Sequence, residues 1–328
     1  MPAEPYAPLS YVLPIRWCGD RGLDELSRYL RWLSERTEVI VVDGSPGPAF
    51  AEHARRWAGV ARHLAPHADL TFASGKANGV ATGMREASHD RVVVADDDVR
   101  YDAAGLFRMA ALLGEADLVR PQNYFDPLPW HAVWDTSRSL INRAFSEDFP
   151  GTLGVRRATF LAMGGYDGDV LFENLELIRT VEAAGGTVAS PADLLVRRLP
   201  PSASHFWSQR VRQAYDDFAE PARMCVALAL LPALALVPRG ARARLGAGLA
   251  ISAVALAERG RRRGGADRVI PGRAALAAPA WVLERAVCSW LALGARLVLG
   301  GVPYGGAVMR RAATPRRRLG TRRAPAGR

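Results

Sequence analysis

Three consecutive carboxylates follow a short apolar run in the first third of the 328-residue chain. Residues 92–95 are Val-Val-Val-Ala, and Asp96, Asp97 and Asp98 come directly after them. A valine-rich run is typical of a strand buried on both faces, and ligands of open α/β sheets bind just beyond the carboxyl ends of such strands. Neighbouring carboxylates repel one another unless a cation neutralises them, and oxygen ligands suit Mg²⁺ or Mn²⁺ with phosphates completing the coordination. The pattern favours a metal–phosphate site over a helix cap near Asp102, because one aspartate would be enough for a cap.

A second acidic residue ends another apolar run. Residues 38–42 are Glu-Val-Ile-Val-Val, and Asp43 follows them before a Gly-Ser turn. Carboxylates at the tips of neighbouring strands suit the base or ribose hydroxyls of a nucleotide together with a metal. The first predicted strand, at 11–16, is not followed by a GxGxxG pattern, which disfavours a dinucleotide-binding fold.

The segments around these residues alternate between strand and helix patterns. Besides the run before Asp96, strands are expected at 11–16, 38–45, 60–64, 117–121, 150–156, 187–190 and 194–198, and helices at 24–35, 50–57, 78–87, 103–113, 175–183 and 206–218. This alternation predicts an α/β fold with a mostly parallel, doubly wound sheet and flanking helices. Residues 122–148 are less regular and aromatic. They either form a stacking platform for a sugar or an apolar acceptor, or only cover the edge of the sheet.

Five short motifs follow one another along the chain: Val41-Val42-Asp43-Gly44-Ser45, Gly75-Lys76-Ala77-Asn78-Gly79, Asp96-Asp97-Asp98, Gly164-Gly165-Tyr166-Asp167 with Phe172-Glu173-Asn174, and Gln209-Arg210-Val211-Arg212-Gln213. In this order they resemble the motifs of the inverting GT-A fold glycosyltransferases of family 2. The resemblance covers residues 11–218. It implies a GT-A, Rossmann-like nucleotide-diphospho-sugar transferase fold, a nucleotide-sugar donor with a UDP-sugar expected first, and Mg²⁺ or Mn²⁺ as cofactor.

On the donor side, the resemblance implies roles for residues of the first three motifs. Asp43 is expected to contact the nucleotide base, and Lys76 and Asn78 to lie near the pyrophosphate. Asp96 is expected to contact ribose and metal, and Asp98 to bind the metal. Lys76 is also the only lysine of the chain, and a compact ammonium suits a close phosphate contact; a chance surface lysine is the alternative.

On the acceptor side, the resemblance implies that an acid of the fourth motif acts as general base. In an inverting transfer a carboxylate takes the proton of the acceptor hydroxyl on the face opposite the leaving group. Glu173 is the expected base, with Asp167 and Glu176 as the other candidates. Asn174 stands where the family has its second acid.

The leaving nucleoside diphosphate needs its charge neutralised. A metal held by Asp98 and Asp96 can do this as a Lewis acid, and Arg212 or Arg210 can add a charge-assisted hydrogen bond. Gln213 stands where the family has tryptophan, so the acceptor-side contact of this motif is not carried over to this chain.

The C-terminal part of the chain differs in composition. Residues 239–328 contain 19 arginines and three acidic residues, a surplus larger than the net charge of +10, so the preceding part is net acidic. Three apolar runs lie at 224–237, 245–257 and 274–302, and the first two are shorter than the roughly 20 residues of a membrane span. Arginine-rich, acid-poor flanks favour contact with an anionic membrane. A short hairpin in the bilayer, interfacial helices, one or two true spans and a soluble helical subdomain all remain open.

These patterns predict three parts: a GT-A catalytic domain at 1–220, an apolar and basic helical membrane-associated region at 221–309, and an arginine-rich disordered tail at 310–328. The three cysteines, Cys18, Cys225 and Cys288, have no metal-binding spacing, which is typical of a reducing compartment. Residues 1–10 lack a signal-peptide pattern.

The expected function is that of a hexosyl-transferring enzyme at the cytoplasmic face of the cell membrane, with a lipid-linked, saccharide or other cell-envelope acceptor and no nucleic-acid partner. One alternative is a catalytically inactive GT-A domain that binds nucleotide sugar as a scaffold, suggested by Asn174 and Gln213. A nucleotidyltransferase is disfavoured because residues 16–22 lack a Gly-rich basic signature.

Overall fold

The computed structural model describes residues 6–17, 19, 22–304 and 307–319. Its strands are β1 (Ser10–Ile15), β2 (Glu38–Asp43), β3 (Arg62–Leu64), β4 (Arg91–Ala95), β5 (Val99–Arg100), β6 (Leu118–Val119), β7 (Gln122–Phe125), β8 (Thr152–Arg156), β9 (Val188–Ala189), β10 (Leu195–Arg198), β11 (Val302–Tyr304) and β12 (Ala307–Met309). Its helices are α1 (Leu23–Ser34), α2 (Gly47–Arg56), α3 (Gly75–Glu86), α4 (Ala103–Leu112), α5 (Trp130–Phe145), α6 (Arg157–Ala162), α7 (Glu173–Ala183), α8 (Ala203–Ser208), α9 (Arg210–Asp216), α10 (Pro221–Leu236), α11 (Arg239–Arg262), α12 (Arg273–Leu276), α13 (Ala278–Val298) and α14 (Arg316–Leu319).

A seven-stranded sheet forms the centre of the molecule, in the order β3-β2-β1-β4-β8-β6-β9. The pairs β1–β2, β1–β4, β2–β3 and β6–β9 are parallel, and only β8 runs antiparallel to its neighbours β4 and β6. The predicted α/β class with a mostly parallel sheet is confirmed. Because β1, β2 and β4 are parallel, their carboxyl ends meet at one edge, where Asp43 and Asp96 follow.

The core lies in two layers, one on each face of this sheet. Alternate side chains of a strand point to opposite faces. In β1, Tyr11 and Leu13 pack in the layer under α1 and α4, whereas Val12 packs in the layer under α3 and α7. Both layers are fully buried, which explains why the strands read as continuous apolar runs.

The middle of the chain differs from the prediction. Residues 122–148 contain strand β7 and the 16-residue helix α5, where an irregular aromatic segment was expected. The helix buries a face of mainly small and polar residues, including Ala132, Thr136 and Ser139, so its apolar period is weak. The helix predicted at 206–218 is divided at Gln209 into α8 and α9.

The C-terminal residues as far as 319 pack on the rest of the structure, in contrast to the disordered tail expected from residue 310. The backbone N–H groups of Leu171 and Phe172 donate to the carbonyl oxygens of Arg311 and Ala312 at 2.9 and 2.8 Å, and Leu319 is buried. Residues 320–328 and Cys18 lie outside the described residues.

Candidate active site

A cavity of about 230 Å³ opens where the central strands end. Six of the predicted site residues line it: Lys76, Asp96, Asp98, Glu173, Arg210 and Arg212. They come from positions that are far apart in the sequence, and the sheet brings them together. Asp43, Asn78 and Asp167 do not line this cavity.

The two carboxylates expected to bind metal share one guanidinium. Arg198, the last residue of β10, donates from Nε to Asp98 Oδ1 at 2.9 Å and from Nη2 to Asp98 Oδ2 at 2.7 Å. The same Nη2 lies 3.3 Å from Asp96 Oδ2. Burial raises the pKa of Asp98 and Arg198 only partly offsets this, whereas at Asp96 the nearby cations outweigh burial and lower the pKa. A cation therefore already lies between the two carboxylates.

Asp97, the middle carboxylate, takes a different contact. It accepts a hydrogen bond from the indole N–H of Trp17 and does not line the cavity. The helix-cap alternative belongs to another residue, because the Asp102 side chain itself accepts from Gly105 N at 2.7 Å at the start of α4. The carboxylates of Asp96 and Asp98 are thus left for the cavity.

Lys76 connects the metal side of the cavity to the acidic start of α7. Its Nζ lies 2.5 Å from Asp96 Oδ1, 3.0 Å from Glu173 Oε1 and 3.3 Å from Asn174 Oδ1. Burial alone would lower the pKa of Lys76, but the charges of Asp96 and Glu173 raise it above its ordinary value. The single lysine is therefore a fixed cation inside the site rather than a chance surface residue.

Of the three candidate bases, only Glu173 lines the cavity. Asp167 accepts from Arg311 Nη2 at 2.9 Å and lines a separate cavity of about 920 Å³. Glu176 is fully buried and accepts from the backbone N–H of Thr314 at 2.6 Å. The structure thus places Asp167 and Glu176 against the C-terminal segment, and neither carboxylate lines the cavity.

Asp43 follows the expected strand but its carboxylate is enclosed. Its Oδ2 lies 2.7 Å from His53 Nδ1 and 3.0 Å from His63 Nε2, and its Oδ1 accepts from Ser45 N at 2.8 Å. Burial would raise the pKa of Asp43, but these hydrogen bonds outweigh it and hold the pKa far below the usual range. The side chain is not exposed, so the predicted contact with a nucleotide base is not available in this conformation.

Asn78 has a structural contact instead of the predicted one. Its Oδ1 accepts from Phe72 N and its Nδ2 donates to Phe72 O, both at 3.0 Å. Both ends of the amide are therefore used to hold the loop before α3.

Arg212 and Asp216 form the far wall of the cavity. The Arg212 guanidinium lies over the ring of Tyr304 at 4.3 Å and donates from Nη1 to Gln209 Oε1 at 2.7 Å. Burial raises the pKa of Asp216 to about 7, although the charge of Arg212 opposes this. The Asp216 Oδ1 atom is buried and makes no hydrogen bond. Asp216 is a second carboxylate of the cavity that the sequence motifs did not indicate.

Arg210, the other predicted arginine of the fifth motif, also lines the cavity, but its ion pairs with distant helices were not predicted. Arg210 Nη1 lies 3.2 Å from Asp135 Oδ1 and 3.5 Å from Glu284 Oε2, and its guanidinium lies 3.9 Å from the ring centroid of Phe206. Arg285 Nη1 lies 3.4 Å from Asp217 Oδ2. These pairs join α5, α9 and α13, so no local sequence signal marks them.

The carboxylate pair fits a divalent cation. The side chains of Asp96 and Asp98 are 25% and 27% exposed and both line the cavity. Oxygen ligands of this type suit Mg²⁺ or Mn²⁺. The position of Arg198 Nη2 between the two carboxylates shows that a cation is accommodated there.

Comparisons with known proteins give similarities to solved structures alone. No protein-family model and no curated protein matches the chain. The mannosyltransferase PcManGT from Pyrobaculum calidifontis, solved with GDP-Man and Mn²⁺, is 16% identical, with 87% of each chain covered and a TM-score of 0.49. TarS (1–349) from S. aureus, solved with UDP-GlcNAc, is 13% identical, with 61% of this chain and 60% of that chain covered and a TM-score of 0.45.

A third similar structure is glucosyl-3-phosphoglycerate synthase from Mycobacterium tuberculosis, solved with Mn²⁺, UDP and glucosyl-3-phosphoglycerate. It is 16% identical, with 59% of this chain and 70% of that chain covered and a TM-score of 0.39. Membership of family 2 and inversion stay predictions.

Proposed function

We propose that this chain is a glycosyltransferase that moves a hexosyl group from a nucleotide sugar to an acceptor hydroxyl, with inversion. One observation carries the proposal. A carboxylate pair suited to a divalent cation, a partly buried lysine, an arginine and a separate carboxylate all line one cavity at the carboxyl edge of the sheet. This set matches the two needs of the reaction, which are a neutralised diphosphate and a base for the acceptor.

On the donor side, Asp98 and Asp96 would hold Mg²⁺ or Mn²⁺. The cation, when bound, supplies Lewis-acid neutralisation of the leaving diphosphate. Lys76 and Arg212 are fixed cations of the same cavity, and each can add a charge-assisted hydrogen bond to a phosphate oxygen. A UDP-sugar is the donor we would try first.

On the acceptor side, Glu173 would take the proton of the attacking hydroxyl. It is the only acid of the fourth motif in the cavity, and its ion pair with Lys76 holds it beside Asp96. Asp216 is the competing candidate, because a carboxyl with a pKa of about 7 suits general-base catalysis near neutral pH. Either choice gives inversion, because the carboxylate would only take the proton of the acceptor hydroxyl, while the acceptor oxygen bonds to the anomeric carbon and the bond to the nucleoside diphosphate breaks in one step.

A nucleotide-sugar-binding scaffold is the second candidate function. The observation in its favour is that Glu173 is ion-paired with Lys76. The side-chain amide of the neighbouring Asn174 is also fully engaged, since its Oδ1 accepts from Lys76 and its Nδ2 donates to Pro150 O at 2.9 Å. A base that cannot leave its ion pair would bind a donor without transferring its sugar.

Calorimetric titration with UDP, GDP and dTDP, each with and without Mn²⁺, tests the donor side. We expect one nucleotide to bind with Mn²⁺, Asp98→Asn to weaken this binding at least about tenfold, and Glu173→Gln to leave it unchanged. Asp97→Asn is the matched control, because Asp97 does not line the cavity. Equal effects of Asp97→Asn and Asp98→Asn, or no binding of any nucleotide, would contradict the proposal.

A further inference from the structure

Helix α13 leaves most of its large apolar side chains exposed and buries mainly small ones. Its buried residues are Ala278, Trp281, Arg285, Ala286, Cys288, Ser289 and Ala292. Its exposed large apolar residues are Leu283, Val287, Trp290 and Leu291 in the middle of the helix, and Leu297 and Val298 at its end. The amphipathic helix of a water-soluble protein usually buries such leucines and valines. An exposed apolar stripe of this kind indicates a surface that another apolar phase covers.

Helix α10 and the first half of α11 extend this surface. In α10, Met224 is the only buried residue, and Leu236 is 85% exposed. In α11, Ile251 is 70% exposed. Residues 221–257 contain no acidic residue, and Arg239, Arg242 and Arg244 lie where α11 begins. We call α10, residues 239–252 of α11 and the exposed stripe of α13 the C-terminal apolar face.

Length and packing argue against a membrane span. By length and composition, one helix of the described chain, Arg239–Arg268, could cross a bilayer. Its second half is docked, however. Ala253, Ala257 and Gly260 are buried against α5, and a Cβ on Gly260 would lie 1.9 Å from the carbonyl oxygen of Leu140. The free residues, 239–252, would extend about 21 Å at 1.5 Å per residue, short of the roughly 30 Å apolar layer of a bilayer.

The other two helices are limited in the same way. The 16 residues of α10 reach about 24 Å and include Pro232. The buried residues of α13 run from Ala278 to Ala292, so most of that helix is packed against the protein along one side. All three helices fit a position in one leaflet better than a transmembrane position.

We propose that the C-terminal apolar face binds one leaflet of an anionic lipid bilayer without crossing it. The arginines at the start of α11 would meet lipid phosphates, and the apolar side chains would enter the acyl region. A second copy of the chain is the competing occupant. A symmetric dimer through this face would bring two acid-free, arginine-containing surfaces together, which is electrostatically unfavourable.

The rim of the catalytic cavity adjoins the same face. Trp130 and Trp207 are 55% and 54% exposed, with ring centroids 6.2 Å apart, and both contact Phe206, which lines the cavity. Trp134 lies 6.4 Å from Trp207 and donates its indole N–H to Glu284 of α13 at 3.0 Å. Exposed tryptophans favour the interface between lipid and water. The acceptor would therefore be a membrane-resident lipid-linked molecule. The identity of the acceptor rests on the proposed transferase function, whereas the binding of lipid does not.

Vesicle flotation with the full chain tests the surface. We expect binding to phosphatidylcholine vesicles that contain phosphatidylglycerol, and much weaker binding to phosphatidylcholine alone. Replacing Arg239, Arg242 and Arg244 with glutamine should weaken binding to the anionic vesicles about a hundredfold, since each basic residue contributes roughly fivefold. The matched control replaces three arginines of the catalytic domain, Arg28, Arg31 and Arg55, and should change binding little.

A second pair of variants tests the apolar contact. Leu291→Glu with Leu297→Glu should abolish flotation on both vesicle types, whereas Leu161→Glu, on an exposed leucine of α6, should not. Both positions are solvent-exposed, so folding should be retained. Unchanged flotation of the double variant, or a dimer in lipid-free solution that the double variant dissociates, would overturn the proposal.

Cysteine labelling separates one-leaflet binding from a span. Gly240→Cys, with the native cysteines replaced by serine, is bound to preformed vesicles and treated with a membrane-impermeant maleimide. We expect full labelling from outside, because Gly240 would lie at the headgroups on the side of the catalytic domain. Protection of this cysteine would show a span and contradict the proposal. Lipid binding without any sugar transfer would count against the proposed function alone.

Discussion

Replacing Arg198 with methionine should make the stability of the protein depend on a divalent cation. The guanidinium makes three contacts, at 2.7, 2.9 and 3.3 Å, to the carboxylates of Asp98 and Asp96. Without it, two neighbouring carboxylates remain with only Lys76 to compensate them. Breaking a buried ion pair costs about 3–5 kcal/mol, and because these carboxylates are about a quarter exposed, we expect about 2–3 kcal/mol here.

A divalent cation should recover most of that loss. Mn²⁺ at a hundred times its dissociation constant stabilises a folded protein by about 2.7 kcal/mol. In EDTA, Arg198→Met should therefore melt about 3–4 °C below the wild-type protein, and saturating Mn²⁺ should close the gap. The wild-type protein should gain less from Mn²⁺, because Arg198 already neutralises the same carboxylates.

Thermal unfolding followed by circular dichroism, with and without Mn²⁺, measures both effects. Arg197→Met is the matched control, since the nearest acid to this neighbouring arginine is Asp126, at 3.8 Å, and its loss should cost less than about 0.5 kcal/mol. Adding Asp98→Asn to Arg198→Met should remove the rescue by Mn²⁺. A normal melting temperature of Arg198→Met in EDTA, or a deficit that persists in saturating Mn²⁺, would refute this role of Arg198.

Three further substitutions give independent tests. The pKa of Asp216 is raised from 3.8 to about 7 in the folded protein, so ionisation of this carboxyl opposes folding. The resulting loss of folding stability is absent below about pH 4, grows through neutral pH and reaches at most about 4 kcal/mol. The urea concentration at the midpoint of unfolding should therefore be higher for Asp216→Asn than for the wild-type protein at pH 8, but not at pH 4. Equal stability of the two proteins at pH 8 would contradict this expectation. Gly151→Ala would place a Cβ 2.6 Å from the Asp96 carboxylate. The affinity for nucleotide in the presence of Mn²⁺, measured by calorimetry, should therefore fall about tenfold or more. An unchanged affinity would contradict this expectation and would show that the site can shift freely. Gly260→Ala should lower the free energy of unfolding by about 1–3 kcal/mol, because the new Cβ would meet a backbone carbonyl of α5. Gly248→Ala is the control on the same helix; a Cβ there would have nothing within 4 Å, so this variant should raise the free energy of unfolding by about 0.5–1 kcal/mol. A change of the same sign in both variants would refute the docking of α11.

The central strands could be predicted because their signal is local. The valine run before Asp96 is buried on both faces, and the expected strands fall within a few residues of β1, β2 and β4. The position of the acids at the strand tips follows from the parallel order, so the meeting of Asp96, Asp98 and Lys76 in one cavity agrees with the sequence motifs.

Other parts of the site depend on contacts between distant segments. Arg198 reaches Asp98 across 100 positions of the sequence, and nothing around it marks the pairing. His53 and His63 enclose Asp43 from α2 and β3, which changes the expected role of that carboxylate. Helix α5 was not predicted, because a helix that buries mainly small and polar residues lacks an apolar period.

The packing of residues 310–319 could not be predicted from their composition either. An arginine-rich segment is typical of disorder, but Arg311 pairs with Asp167 at 2.9 Å, and the backbone of Thr314 donates to Glu176. These two contacts also remove two of the three candidate bases from the cavity. The folded position of a charged segment thus decided which carboxylate of the fourth motif is available.

Release of nucleoside diphosphate is the measurement that tests the central claim most directly. Detergent-solubilised full-length protein is incubated with UDP-, GDP- and dTDP-sugars, Mn²⁺ and a membrane extract as acceptor source, alongside Asp98→Asn and Glu173→Gln. We predict Mn²⁺-dependent release from one donor, lost in both variants, while Glu173→Gln still binds that donor. Donor binding without release, or release that Glu173→Gln leaves intact, would contradict the account of this cavity as a transferase site with Glu173 as its base.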